Sequence, residues 1–212
     1  GSGGGCAVLG DHSVKCWWGG ANGGLPYTVN LGSDFTAVDV SAGYSHMCAL
    51  SDAGKVKCWY HNSHGELGSE TTTSTNEGSN LDPFTINPVK LGTNRFAVAI
   101  TTGFHHTCAL LDNGGVKCWG LNSAGELGDA SVDDRGKQPN DMGDNLPFVD
   151  LGTSRTAVAI DAGEYFTCAL LDNGWLKCWG NNGNGRLGQG SPVSNLGRLP
   201  GQMGDNLPPI QL

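Results

Sequence analysis

Eight cysteines are the residues of this chain best suited to chemistry, and they come in four pairs with nine residues between the partners. Lysine precedes and tryptophan follows the second cysteine of each pair, as in Lys117-Cys118-Trp119. Thiols at a fixed spacing form disulfides or bind a metal such as zinc. The four pairs are Cys6 and Cys16, Cys48 and Cys58, Cys108 and Cys118, and Cys168 and Cys178.

The residues between the paired cysteines favour disulfides. Asp112-Asn113-Gly114 suits a three-residue hairpin loop in which the glycine takes the left-handed conformation. Alternation outward from that loop places Cys108 opposite Cys118 at a non-hydrogen-bonded position, where Cα atoms lie about 4.5 Å apart. Zinc knuckles instead use short spacings such as C-x2-C. The sequence therefore predicts one disulfide per hairpin and an oxidising compartment, with free thiols and metal binding as the alternatives.

Histidines and aspartates offer weaker chemistry. His46 and His106 share one register, two residues before a cysteine, and we interpret them as structural histidines rather than metal ligands or proton carriers. The corresponding position in the fourth repeat is Phe166. One loop has oxygen ligands for a weak calcium site, without EF-hand spacing and with a solvated acidic loop as the alternative. Its acids are Asp129, Asp133, Asp134, Asp141 and Asp144.

Aromatic and hydroxyl residues complete the candidate set. The tryptophans that follow the cysteines are predicted to pack between repeats or over the disulfides. They are Trp17, Trp59, Trp119 and Trp179. Trp18 and Trp175 fall outside that register and are candidates for a contact surface. A polar insertion at 69–80 is expected to lack fixed structure. Its hydroxyl run is a candidate for O-glycosylation, and consists of Thr71, Thr72, Thr73, Ser74 and Thr75.

A tandem repeat of about sixty residues positions the cysteine pairs and spans 1–212 as one segment. Each unit offers about four short β runs: one near Asn-Leu-Pro, one like Ala-Val-Ala-Ile, and the two arms of the hairpin. Four short strands at this period predict an all-β fold, a β-propeller of four-stranded blades. The hairpins fall near 1–20, 43–60, 103–120 and 163–180, and the variable loops at 69–88 and 129–146.

The composition is that expected of an exported, loop-rich β protein. The 212 residues include 35 Gly and 9 Pro, and the formal net charge is -8. An acidic surface repels phosphate backbones, so a nucleic-acid partner is disfavoured, and no apolar run is long enough to span a membrane. No nucleophile–base pair or paired acids stand out from the repeat, so neither an enzyme activity nor a cofactor is predicted.

The repeat resembles the regulator-of-chromosome-condensation repeat, in the cysteine-paired form of secreted or surface proteins. The resemblance covers essentially the whole chain and rests on the string Gly-x-x-His-x-Cys-Ala-Leu-x-Asp-x-Gly-x-Val-Lys-Cys-Trp-Gly-x-Asn-x-x-Gly-x-Leu-Gly. It implies β-propeller blades, typically seven in a closed ring. The nucleotide exchange and chromatin binding of that family find no matching motif here and do not carry over.

The number of blades departs from the family pattern. Four hairpins are present but only three copies of the Ala-Val strand, at 37–38, 97–98 and 157–158, which gives about three and a half blades. Either the ring continues in further repeats or other copies complete it, for example in a filament. The sequence predicts a non-enzymatic, secreted or cell-surface propeller module for protein–protein contact. A lectin-like carbohydrate-binding module and a propeller hydrolase are the alternatives.

Overall fold

The computed structural model describes residues 4–18, 24–74, 86–190 and 194–211, and within them twelve strands form four antiparallel, three-stranded sheets. The all-β propeller architecture predicted from the sequence is confirmed. The first sheet contains β1 (Gly4–Val8), β2 (Val14–Trp18) and β3 (Tyr27–Val29), and the second β4 (Ala37–Ala42), β5 (His46–Ser51) and β6 (Val56–Tyr60). The third contains β7 (Ala97–Thr102), β8 (His106–Leu111) and β9 (Val116–Gly120), and the fourth β10 (Ala157–Ala162), β11 (Phe166–Leu171) and β12 (Leu176–Gly180).

Helical structure is limited to short 3-10 turns in the described part of the chain. They are Gly143–Asn145, Gly183–Gly185 and Gly204–Asn206. No helix among the described residues has the length and apolar character needed to cross a bilayer.

The hairpins have the register that their loops predict. The Leu111 N–H donates to the Gly115 carbonyl at 2.9 Å, and Gly114 has a φ of 75°, as a three-residue loop with a left-handed glycine requires. Cys108 consequently lies opposite Cys118. All four predicted pairs are joined, with Cα separations of 4.0–4.1 Å. In the first hairpin His12 takes the glycine's place with a φ of 64°.

The run near Asn-Leu-Pro lies along the outer edge of each blade. In the first sheet it forms β3, which pairs with β2. In the other three blades it adds one backbone hydrogen bond of 2.8 Å, because its prolines lack donors. The donors and acceptors are Val89 and Val56, Val149 and Val116, and Ile210 and Leu176. The last three blades thus have four segments each, three of them regular strands, and the described part of the first blade has three.

The hydrophobic core lies between consecutive sheets. Leu50 and Val56 of the second sheet pack with Leu111 and Trp119 of the third, and the same contacts recur at the next junction. The predicted packing between repeats is seen for Trp59, Trp119 and Trp179, which are all buried. Trp17 is 40% exposed and lies over Gly5 of its own hairpin, where a Cβ would come within 2.8 Å of the indole.

Two of the tryptophans also connect their blade to a loop of the preceding blade, whereas the indole N–H of Trp59 has no hydrogen-bond partner among the described residues. The indole N–H of Trp119 donates to the Glu66 carbonyl at 2.9 Å, and that of Trp179 donates to the Glu126 carbonyl at 2.9 Å. Thr107 Oγ1 reaches the same Glu66 carbonyl at 3.1 Å. A buried tryptophan thus supplies apolar area to the junction and fixes the backbone of a loop.

In the last three hairpins the lysine before the second cysteine is buried and holds an outer loop against the blade, whereas Lys15 of the first hairpin is exposed. The Nζ of the buried lysine donates to backbone carbonyls of that loop, at 2.7 Å from Lys57 to Leu31 and 2.7 Å from Lys117 to Gly143. Lys177 donates in the same way to Gly204 at 2.8 Å. Burial lowers the pKa of Lys117 and of Lys177. The charge is tolerated there because carbonyl oxygens replace the lost water.

The inner strands β4, β7 and β10 lie side by side, and each ends in a glycine turn. Gly103 follows β7, and a Cβ on this residue would overlap the ring of His106, so the motif Gly-x-x-His needs its glycine. His46 Nε2 lies 2.8 Å from Thr107 Oγ1 and His106 Nε2 lies 3.0 Å from Thr167 Oγ1. Burial lowers the pKa of His46 to about 4 and that of His106 to about 3, so both are neutral residues of the core.

Candidate functional site

The turns that follow the three inner strands bring three aromatic rings into a row. The rings of Tyr44 and Phe104 stack with centroids 3.9 Å apart and planes at 16°, and those of Phe104 and Tyr165 stack at 4.8 Å and 26°. We call Tyr44, Phe104 and Tyr165 the aromatic row. Tyr44 is 42% exposed, and the other two are partly exposed, so the row borders solvent.

Backbone contacts between blades hold the row in place. The Tyr44 N–H donates to the Gly103 carbonyl at 3.2 Å, and the Phe104 N–H donates to the Glu164 carbonyl at 2.8 Å. Beside the row is an open cleft of about 440 Å³, which the three glycine turns line together with Glu164. The row is therefore a composite of three blades and exists only when they are packed.

Next to the row, two histidines converge on one buried carboxylate. The Nδ1 atoms of His61 and His105 lie 2.8 Å and 3.0 Å from the same oxygen of Glu66, Oε1. His61 follows β6, Glu66 lies in the loop beyond it, and His105 precedes β8 in the next blade. We call His61, Glu66 and His105 the histidine cluster. The His105 ring also meets Phe104 edge-on at 4.5 Å, so the cluster and the aromatic row are contiguous.

Glu66 is ionised in this environment. Its side chain is fully buried, which opposes ionisation, but hydrogen bonds from His105, the backbone and His61 outweigh burial. Together they lower the pKa of Glu66 to about 2. The second oxygen, Oε2, accepts the backbone N–H of His64 at 2.8 Å. The carboxylate is thus fixed in orientation with one oxygen directed at the two imidazoles.

The next blade junction has the same glutamate in different surroundings. Glu126 occupies the position of Glu66 one repeat later, but Leu121 and Tyr165 stand where the first junction has His61 and His105. Its Oε2 accepts the Ala124 N–H at 2.7 Å, and its Oε1 has no hydrogen-bond partner among the described residues. Burial raises the pKa of Glu126 to about 7. The histidines are therefore a specific feature of one junction rather than of the repeat.

The five loop aspartates do not form the calcium site that the sequence left open. Asp141 Oδ2 accepts the backbone N–H groups of three successive residues from Gly136, and Asp144 accepts the N–H and the hydroxyl of Thr93. Asp129 pairs with Arg135 at 3.0 Å. Asp134 pairs with His64 and Lys137, each at 3.0 Å, while Asp133 is exposed. Each buried oxygen serves a turn or an ion pair, so the carboxylates do not converge.

The other candidates from the sequence lie away from the aromatic row. Trp175 is 51% exposed and sits at the hairpin tip, the opposite end of β11 from Tyr165. Trp18 ends β2, and its side chain lies outside what the structure describes. Of the hydroxyl run, 71–74 is exposed and Thr75 lies outside the described residues.

The start of the polar insertion has fixed structure, contrary to expectation. Ser74 Oγ accepts the Asn62 N–H at 3.1 Å, and the Thr71 carbonyl accepts from Asn62 Nδ2 at 2.8 Å. Asn62 is buried and organises this loop, and Asn122 has the same role one repeat later. O-glycosylation of the exposed hydroxyls stays a prediction.

The sequence did not single out the aromatic row or the histidine cluster. His46 and His106 are conspicuous in the sequence because they occupy the same position in two repeats, but both are buried in the core. A surface site is indicated instead by positions next to a repeated glycine at which the residue type changes from one repeat to the next. Tyr44, Phe104 and Glu164 share one such position, and Ser45, His105 and Tyr165 share the next. Residues that the frame does not require are those free to serve a surface.

Sheets of this size, packed face to face with inner strands side by side, define a tandem-repeat β-propeller segment. The Regulator of chromosome condensation (RCC1) repeat model matches residues 37–66, 97–126 and 157–186, each from an inner strand to the loop of the buried glutamate or its counterpart. The chain belongs to the RCC1-type repeat family.

The chain spans only part of the length of the proteins described next. The human probable E3 ubiquitin-protein ligase HERC4 is 30% identical over 167 residues, which cover 79% of this chain and 14% of that protein. Human WBSCR16 shares the fold with a TM-score of 0.68 at 18% identity. The match covers 99% of this chain and 51% of the WBSCR16 chain. Prp20p of Saccharomyces cerevisiae, which binds Gsp1p and histones, gives a TM-score of 0.62 at 21% identity. That match covers 84% of this chain and 42% of the Prp20p chain.

Proposed function

We propose that the chain is a non-enzymatic, extracellular propeller module that binds a protein partner through the aromatic row. The observation that carries the proposal is the stacked set Tyr44, Phe104 and Tyr165 at the solvent border of three blades. Rigid aromatic side chains on a preformed scaffold supply contact area at a low cost in conformational entropy. The protein partners of Prp20p are consistent with this use of the fold.

The stacking favours a protein over a carbohydrate. Lectin-like sites hold a sugar against the open face of an aromatic ring. Phe104 has Tyr44 at 3.9 Å on one side and Tyr165 at 4.8 Å on the other, so both of its faces are occupied. Phe104 therefore presents only its ring edge, while Tyr44 and Tyr165 add hydroxyl groups, and this mixture suits a protein surface with polar and apolar character.

The geometry gives the hydrolase alternative no support. Glu66 and Glu126 are fully buried, so a substrate does not reach either carboxylate. They lie at successive junctions, and each accepts a backbone N–H from its own loop, at 2.8 Å and 2.7 Å. A pair of acids flanking a shared substrate position, as hydrolysis of this type needs, is not formed by these two residues.

The extracellular setting is proposed from the cysteines. Four disulfides account for every cysteine of the chain, and none of the pairs lies at a site of other chemistry. Disulfides at this density persist in oxidising compartments and are rare in the cytosol. The acidic surface, with a net charge of -8, favours basic or neutral partner surfaces.

The test measures how well the chain and two surface variants capture a protein partner from the culture medium or the cell surface of the source organism. The variant Tyr44→Ala/Tyr165→Ala removes the ends of the row, and Trp175→Ala removes an exposed aromatic at the opposite end of β11. We expect the first variant to lose the partner by at least about tenfold in affinity and the second to retain it.

Equal melting temperatures would show that both variants are folded. Retention of the partner by the row variant, or its loss in Trp175→Ala alone, would place the contact surface elsewhere. A glycan array run with the same three proteins addresses the lectin alternative: glycan binding by the parent that the row variant loses would favour a carbohydrate.

A further inference from the structure

We propose that the histidine cluster binds one zinc ion between the second and third blades, with His61, Glu66 and His105 as ligands. One nitrogen from each imidazole and one carboxylate oxygen lie within 4.8 Å of one another. Two imidazoles and a carboxylate form a ligand set that zinc accepts, with bond lengths of about 2.0–2.2 Å. The proposal does not rest on the partner surface proposed above, although the cluster lies beside it.

The distance from each imidazole nitrogen to the carboxylate oxygen is close to that of a metal site. Two ligands of a tetrahedral ion at about 2.1 Å lie about 3.4 Å apart. The Nδ1 atoms of His61 and His105 are already 2.8 Å and 3.0 Å from Glu66 Oε1. Replacing the two hydrogen-bonding protons by one cation therefore requires each nitrogen–oxygen distance to lengthen by about half an ångström. Small rotations of the side chains can supply this change.

Glu66 is held by groups that do not compete for the ion. Glu66 Oε2 accepts the His64 N–H at 2.8 Å, which orients the carboxylate. The Glu66 carbonyl accepts hydrogen bonds from Trp119 and Thr107 of the next blade, and these bonds keep the loop close to His105. Contacts of this kind, made outside the ligand atoms, fix the geometry of a metal ligand. Ser45 Oγ lies 2.8 Å from the ligand atom of His105, Nδ1, and a bound ion would replace that contact.

The site has an open side. The Glu66 side chain is fully buried, whereas that of His61 is 40% exposed, so the cluster runs from the core to solvent. A bound ion would keep a coordination position for water or for a side chain of another molecule. His64 is directed elsewhere, since its Nδ1 pairs with Asp134 at 3.0 Å, and we do not assign it as a ligand.

The equivalent junction provides a natural reference. There the glutamate is Glu126, with Leu121 in place of His61 and Tyr165 in place of His105. That junction has the same fold without nitrogen ligands. One zinc ion per chain is therefore expected, and the reference residues are substitutions that this fold already accommodates.

The experiment is calorimetric titration of the disulfide-intact chain with zinc chloride, after removal of metal by a chelator. We expect one equivalent to bind with a micromolar or lower dissociation constant. His61→Leu and His105→Tyr copy the next junction, and each should weaken binding by at least about 100-fold, more than the loss of an outer contact. His64→Ala copies Ala124 of the next repeat and should leave the affinity within a few-fold of the parent.

Melting temperature separates loss of a ligand from loss of the fold. Zinc should raise the melting temperature of the parent and of His64→Ala but not that of His61→Leu. X-ray absorption of the zinc-loaded parent should show nitrogen and oxygen neighbours without sulfur, and this measurement needs no variant. Absence of saturable binding would overturn the proposal, as would binding that persists in both ligand variants or a sulfur shell.

Discussion

The two buried glutamates show how neighbours, rather than position in the repeat, decide the state of a side chain. Glu66 and Glu126 are related by the repeat and both are fully buried. Hydrogen bonds from two histidines overcome burial at Glu66 and lower its pKa to about 2. Burial dominates at Glu126 and raises its pKa to about 7. One junction therefore contains a fixed anion, while the other contains an acid that is protonated in mildly acidic solution.

The state of Glu126 predicts a pH dependence of stability. Its pKa is about 7 in the folded chain against 4.5 for the ordinary group, so the folded state binds more protons between these values. Stability from this residue is therefore present at pH 4.5 and is lost as the pH rises through about 7, by up to about 3 kcal/mol. Asp134 raises and Arg198 lowers this pKa by smaller amounts.

Glu126→Gln removes the titration while keeping the size of the side chain. We expect its stability relative to the parent to rise between pH 4.5 and 7 and then to remain constant. Chemical denaturation at a series of pH values measures the difference, which cancels the contribution of the histidines. A difference that is flat across this range, or that has the opposite sign, would show that Glu126 is ionised in the folded chain.

At the scale of the element, the Lys-Cys-Trp arm of the last three hairpins has three roles. The cysteine links the hairpin, the tryptophan packs against the preceding blade, and the lysine fastens an outer loop. At the third sheet these residues are Cys118, Trp119 and Lys117, and all three are buried. Alternation along β9 directs the cysteine to one face of the sheet and its two neighbours to the other. The repeated tripeptide is therefore explained by packing alone.

The elements could be predicted from the sequence because local rules determine them. The loop Asp112-Asn113-Gly114 specifies the hairpin and hence the pairing of Cys108 with Cys118. The lysine bonds and the histidine cluster could not be predicted in this way, because they depend on which loop carbonyl or side chain a neighbouring blade brings near. His105 and Glu66 are 39 positions apart and meet only through the packing of two blades.

The blade junctions predict unequal effects for the repeated tryptophans. Trp119→Ala removes a fully buried side chain and its hydrogen bond to Glu66, and should cost about 3–5 kcal/mol. Trp17→Ala is the matched control, because Trp17 has the same place in its hairpin but is 40% exposed, and it should cost about 1 kcal/mol. Urea denaturation measures both. Equal losses would mean that the junction does not depend on the indole.

The disulfides give a prediction for the protein as isolated from its source. Peptide mapping under non-reducing conditions should recover four links, each within one hairpin, such as Cys48 with Cys58. Each closes a short loop, so it should add about 2–3 kcal/mol and chiefly fix hairpin register. Free thiols in the native protein would argue against the extracellular setting, and links between hairpins would contradict the register.

At the scale of the whole molecule, the free energy of unfolding is approximately a sum of contributions from each sheet and from its contacts with the adjacent sheets. The described core consists of three clusters, each shared by two consecutive sheets, with no cluster common to all four. Solenoids and propellers built in this way respond to damage locally, because each repeat contacts only the adjacent ones. The aromatic row spans three blades and so depends on two junctions at once, whereas the histidine cluster depends on one.

This organisation predicts where a weakened junction opens. Trp119→Ala should speed amide hydrogen exchange in the loop around Glu66 and in β8 and β9, while β12 keeps its protection. Trp179→Ala should do the reverse, with faster exchange around Glu126 and in β11 and β12, while β6 is unchanged. The two indoles make the same bond at 2.9 Å, so each variant is the control for the other. Mass spectrometry of peptic fragments resolves these regions. A uniform rise in exchange across all four sheets in both variants would mean that the blades unfold as one unit and that neighbour packing does not describe the molecule.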